Sequence, residues 1–95
     1  MATRTARIGI LGDFNPEYPS HHATNASLRH AAKALGCEID ATWVPTPSLL
    51  DAHAAETLAS FDGLWASPGS PYKSKDGMLA GIRLARVNNW PFVAT

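Results

Sequence analysis

Arg7-Ile8-Gly9-Ile10-Leu11-Gly12-Asp13 is the stretch on which the fold turns. An uncharged run closed by a Gly-Asp turn reads as a buried strand opening a βα unit. From Gly12 to Pro19 the chain carries Asp13, Asn15 and prolines at 16 and 19, so a loop follows. Ser20 is then the expected N-cap of a helix running to about Leu35. Its apolar face is Thr24, Leu28, Ala31 and Leu35, and Gly36 stands where a left-handed C-terminal cap is wanted.

The same alternation continues outward from that unit. Cys37, Ile39, Ala41 and Trp43 recur with the period of a strand that has one better-buried face, and Pro45 and Pro47 end it, which suits an edge position. Ser48-Leu49-Leu50-Asp51 matches a capping box, followed by a buried stripe of Leu50, Ala54, Leu58 and Phe61. Asp62-Gly63 turns the chain into a third strand, Leu64-Trp65-Ala66, and residues 67–75 form a loop rich in Gly, Pro and Ser. Asp76 is the expected cap of a third helix with Met78, Leu79, Ile82 and Ala85 facing inward. Asn88-Asn89 ends it, and Pro91 to Thr95 begins a fourth strand. The order βαβαβαβ predicts an α/β fold: a flavodoxin-like parallel sheet of strand order 2-1-3-4, helices on both faces and strand 2 at the edge. Ligands of such sheets bind beyond the carboxyl ends of the strands where the order reverses, here between strands 1 and 3. The loops at 13–19 and 67–75 both emerge there.

Composition narrows the function. The 95 residues suffice for one domain, with residues 1–6 expected to be disordered. Eight Lys and Arg balance eight Asp and Glu and are scattered, which gives no footprint for nucleic acid or an anionic membrane. Charged residues reach 17% against the roughly 25% usual for soluble domains, as suits a chain meant to be covered. No apolar run is long enough to span a bilayer and the first residues lack a signal peptide's apolar stretch, so a cytoplasmic location is expected. A single cysteine, Cys37, excludes an internal disulfide and fits a reducing compartment. It begins the edge strand at the far end of the sheet from the crevice and reads as a small apolar residue.

The loop Ser67-Pro68-Gly69-Ser70-Pro71-Tyr72 is the main candidate site. Its glycine lets the backbone turn so that consecutive amides face the crevice, where they can hold an oxyanion; taken alone it also fits an ordinary Pro-Gly turn. His21 and His22 open the first helix beside the crevice, where exposed, solvated side chains are the simpler reading. Lys73 and Lys75 flank the loop. His22 and His30 lie two turns apart, too far for one metal, and no metal site is argued.

Leu64-Trp65-Ala66-Ser67-Pro68-Gly69-Ser70, Asp76-Gly77-Met78, Ala80-Gly81-Ile82-Arg83-Leu84-Ala85-Arg86 and Trp90 to Thr95 together resemble the class I glutamine amidotransferase domain of the CTP synthase type. Arg7 to Gly12 and Asn25 to Ala31 stand in matching places, and Gly12 to Pro16 with Tyr18 to His21 resemble stand-alone relatives of the CTP synthase C-terminal region, some of them selenoproteins. The resemblance covers Arg7 to Thr95 and implies the N-terminal half of one amidotransferase-like domain. It implies an oxyanion hole at Gly69 and Ser70, with Ser70 where the usual motif has its second glycine, and a substrate pocket at Pro68, Pro71 and Tyr72. It further implies a nucleophile directly after Thr95, a later His and Glu completing the triad, glutamine as the substrate, a hydrolase reaction and no cofactor.

The chain stops inside the fourth strand, at the position before that nucleophile. The expectation is a UGA selenocysteine codon next, with a real stop or an expression boundary as alternatives, and self-association through the exposed sheet edge. Two other functions stay open. One is a non-catalytic binding or regulatory module, favoured by Ser70. The other is a phosphate- or nucleotide-binding flavodoxin-like domain using the 13–22 loop, which lacks a G-x-G-x-x-G or P-loop signature.

Overall fold

A computed structural model describes residues 5–67 and 72–94. Strand β1 spans Thr5–Leu11, helix α1 Pro19–Leu35, strand β2 Glu38–Val44, helix α2 Ala54–Ala59, strand β3 Gly63–Ala66, helix α3 Lys75–Val87 and strand β4 Phe92–Ala94. A 3-10 helix at Thr46–Leu50 precedes α2. The four strands form one parallel sheet in the order β2-β1-β3-β4, as the alternation of strands and helices predicts. Thr5 and Ala6, expected to be disordered, pair with Glu38 and Ile39 and so belong to the sheet.

The core lies between the sheet and the helices that follow β2. Leu11, Val44, Leu49, Leu58, Leu64, Ala66, Met78 and Ala85 form one buried cluster. On the other face α1 runs along the edge strand, tied to it by Trp43 Nε1, which donates to Asn25 Oδ1 at 3.0 Å. Helix α1 ends where expected, with Gly36 at φ 66° and the Cys37 N–H closing on Ala32 O at 3.0 Å. Only glycine takes that conformation without a Cβ penalty.

Several local expectations fail, each for an identifiable reason. Ser20 does not cap α1. Tyr18 is the N-cap, without a side-chain bond, and Pro19 opens the helix with its φ already set and no N–H to satisfy. Leu35 is 75% exposed because α1 buries its first two turns, at His21 and Thr24, rather than its last. The capping box is absent: Ser48 Oγ donates to Pro45 O at 2.6 Å and Asp51 Oδ1 accepts from His53 N–H at 3.0 Å. The segment forms a 3-10 turn, whose three-residue period points Leu49 into the core and leaves Leu50 59% exposed. Leu49→Ala is therefore expected to cost about 2–5 kcal/mol, and Leu50→Ala less than about 0.5 kcal/mol. Urea unfolding of the two variants checks this, and equal losses would contradict the assigned orientation.

Helix α3 is capped by Ser74, whose Oγ accepts from Gly77 N–H at 2.9 Å, rather than by Asp76. Asp76 instead lies in the first turn, where a carboxylate suits the helix dipole. The buried face of α3 is centred on Gly77, Met78, Gly81 and Ala85, and Leu79 is 52% exposed. The two glycines let α3 come close to the 3-10 helix and β1, which turns Leu79 outward.

Candidate functional site

The carboxyl ends of β1, β2 and β3 converge on one carboxylate, Asp13. The Gly12 N–H donates to Val44 O at 3.0 Å and the Ser67 N–H to Leu11 O at 3.1 Å, so all three strands leave the sheet at one level. Just past that level Asp13 Oδ1 accepts from the Thr46 N–H at 2.9 Å, and Oδ2 accepts from Thr46 Oγ1 at 2.7 Å and from the Lys73 N–H at 2.9 Å. Thr46 is wholly buried, and its hydroxyl oxygen accepts in turn from the Ser74 N–H at 2.8 Å. A carboxylate offers only acceptors, which is what three converging donors require.

Burial works to raise the pKa of Asp13. The hydrogen bonds from Thr46 Oγ1, the Lys73 N–H and the Thr46 N–H, together with the Lys73 charge, outweigh it and hold the carboxyl below its ordinary value. With a depressed folded-state pKa, the stabilisation is complete above the unfolded value of 3.8 and is lost as pH falls from there through the folded value. The urea midpoint of the parent protein should exceed that of Asp13→Asn by a constant margin from about pH 7 to pH 5, and the margin should shrink below about pH 4. A margin independent of pH would contradict the assignment.

Of the loop named from the sequence, Pro68, Gly69, Ser70 and Pro71 lie outside the described residues. Both flanks are described. Ser67 is 1% exposed at the end of β3, and Tyr72, half-buried, donates its hydroxyl to Ser67 O at 2.8 Å. Lys73 lies in the crevice through its backbone, and Lys75 is the first residue of α3. Asp13 itself was visible in the sequence only as a loop residue. What identifies it is the set of partners 33 and 60 residues away, which no local pattern encodes.

The histidines divide. His22 is exposed, its Nε2 2.7 Å from Pro16 O. His21, expected to be solvated, is 2% exposed. Its Nδ1 accepts from the Asn15 N–H at 2.9 Å, and its ring lies among Trp43, Tyr18 and Phe14 at centroid distances of 4.8, 5.1 and 6.0 Å. The helix start thus carries a histidine that organises the 13–18 loop rather than one presented to solvent. Among the described residues no group of three or more His, Cys, Asp or Glu could hold a metal ion, and no helix is long and apolar enough to cross a membrane.

No protein-family profile matches the chain. It is similar to the CTP synthases of Staphylococcus aureus strains JH9 and Newman, at 32% identity over 85 residues, which is 90% of this chain and 16% of each synthase. The chain therefore spans about a sixth of the length of these relatives. Among solved structures it matches one described as the Trypanosoma brucei CTPS glutaminase domain with bound acivicin, with a TM-score of 0.80 and 24% identity over 94% of this chain and 35% of that one. That likeness carries the flavodoxin-like architecture.

Proposed function

Because the chain belongs to a glutamine amidotransferase-like domain related to CTP synthase, we propose that it supplies the oxyanion side of a site that hydrolyses glutamine to glutamate and ammonia. The observation that carries this reading is the anchoring of the Ser67–Ser74 segment at the carboxyl ends of β1 and β3, the crevice where such sheets take their ligands. A cysteine or selenocysteine directly after Thr95 acts as the nucleophile. Its thiolate or selenolate attacks the γ-carbonyl of glutamine, the carbonyl electrons move onto oxygen, and the Gly69 and Ser70 amides donate to that oxyanion. When the tetrahedral adduct collapses, the C–N bond breaks and the nitrogen leaves as ammonia after taking a proton from the triad histidine. Water then hydrolyses the thioester or selenoester to glutamate.

Pro68 and Pro71, having no N–H, cannot donate to the oxyanion, so in this reading the donors are the Gly69 and Ser70 amides between them. Pro68, Pro71 and Tyr72 line the substrate side in this reading. Acivicin, bound by the trypanosomal domain, is the probe of choice. Full-length protein incubated with acivicin should retain it by intact-mass analysis, and excess glutamine should prevent that. A folded protein that retains none, with or without glutamine, would favour a non-catalytic binding module instead.

A further inference from the structure

We propose that Asp13, acting with Thr46, is the positioning group of the glutaminase site, fixing the loop that carries the oxyanion donors; this rests on the glutaminase reading above. The loop's two flanks are held near the end of β1, one on its last residue and the other at a point two residues past it. At its entry the Ser67 N–H donates to Leu11 O at 3.1 Å. At its exit the Lys73 N–H donates to Asp13 Oδ2 at 2.9 Å, and the Ser74 N–H donates at 2.8 Å to the Thr46 hydroxyl that Asp13 itself holds. Leu11 and Asp13 are two residues apart, so the end of β1 sets the separation of the loop's two anchors. Tyr72 adds a third bond across the gap, from its hydroxyl to Ser67 O at 2.8 Å.

Gly69 and Ser70 lie between these anchors in sequence. The oxyanion reading needs their amides held to within fractions of an ångström, and a loop misplaced by about 1 Å costs on the order of 10²-fold in rate. An amide in place of the carboxylate cannot substitute. Asn at position 13 would set a donor against the Lys73 N–H or the Thr46 N–H, because both carboxylate oxygens accept an N–H that has no alternative orientation. Thr46 is the second half of the device: its hydroxyl donates to Asp13 while accepting from Ser74, so the carboxylate reaches two consecutive backbone amides.

The test uses full-length protein and two readouts: steady-state glutamine hydrolysis, and amide hydrogen exchange at Lys73 and Ser74. Asp13→Asn should lower kcat roughly 10- to 100-fold with KM changed less than about threefold, because the oxyanion forms only after substrate is bound. Thr46→Val should lower kcat about tenfold, and Thr46→Ser, which keeps the hydroxyl, should recover most of it. Exchange at Lys73 and Ser74 should quicken in the two impaired variants. Should Asp13→Asn fail to fold, the Thr46→Val and Thr46→Ser pair decides. Faster exchange with kcat unchanged would overturn the positioning role and leave the glutaminase reading standing. A rise in KM at constant kcat would overturn it as well. No hydrolysis by the parent protein would remove both.

Discussion

Gly77→Ala should destabilise the protein by about 3 kcal/mol or more, an unusually large effect for one added methyl group. Gly77 lies in the first turn of α3, and a Cβ there would fall on the carbonyl oxygen of Thr46 and 2.8 Å from its carbon. Both are backbone atoms of a residue that is wholly buried and held through its N–H and hydroxyl by Asp13, so neither can yield. Helix propensity alone favours alanine by about 1 kcal/mol. Steric exclusion must therefore overcome an intrinsic gain, and the sign of the measured change distinguishes the two directly. The damage should also reach the site, since moving α3 off the 3-10 helix pulls Ser74 away from Thr46. A Gly77→Ala variant as stable as the parent in urea would show that the close approach of α3 to Thr46 is wrong.

The second large effect is a compensated pair at the crevice. A Cβ on Gly12 would collide with Ser67 Oγ and come within 3.3 Å of Trp43. Ser67 Oγ is also the buried side-chain atom with no hydrogen-bond partner among the described residues. Gly12→Ala alone should thus cost about 1–3 kcal/mol, as overpacking does. Ser67→Ala removes an unsatisfied hydroxyl and should be neutral or mildly stabilising. In the double variant the collision with Oγ is gone and the new methyl group meets the Trp43 ring at 3.3 Å and the Ser67 Cβ at 3.4 Å, contacts that a shift of a few tenths of an ångström relieves, so most of the loss should be recovered. The coupling in a double-mutant cycle should be about 1–3 kcal/mol. Strict additivity would mean that Ser67 does not point at Gly12, and the geometry of the β1 and β3 ends would need revision.

What was legible in the sequence follows from the range of the interactions involved. Strand order and edge placement were readable because apolar period and Gly or Pro punctuation act locally, and few parallel topologies fit βαβαβαβ. The cap at Gly36 was readable for the same reason. Leu50 and Leu79 were misassigned because a regular helical period was assumed where the chain makes a 3-10 turn, and where glycines rather than leucines face the neighbouring element. Ser74 displaced Asp76 as a cap because either residue type can serve, and only the meeting of Ser74 with Thr46 fixes where α3 begins.

The site divides along the same line. The loop after β3 was singled out from its composition and from its resemblance to CTP synthase. Asp13 and Thr46 were not, because their importance lies in bonds between segments distant in the chain. His21 was misread as solvated since nothing local announces that Trp43, from the edge strand, closes over it.

The most direct measurement is glutamine hydrolysis by the purified full-length protein, followed as ammonia and glutamate released together. Equal amounts of both are expected, with release abolished by prior treatment with acivicin. A folded full-length protein that releases neither would contradict the glutaminase function, whatever its fold.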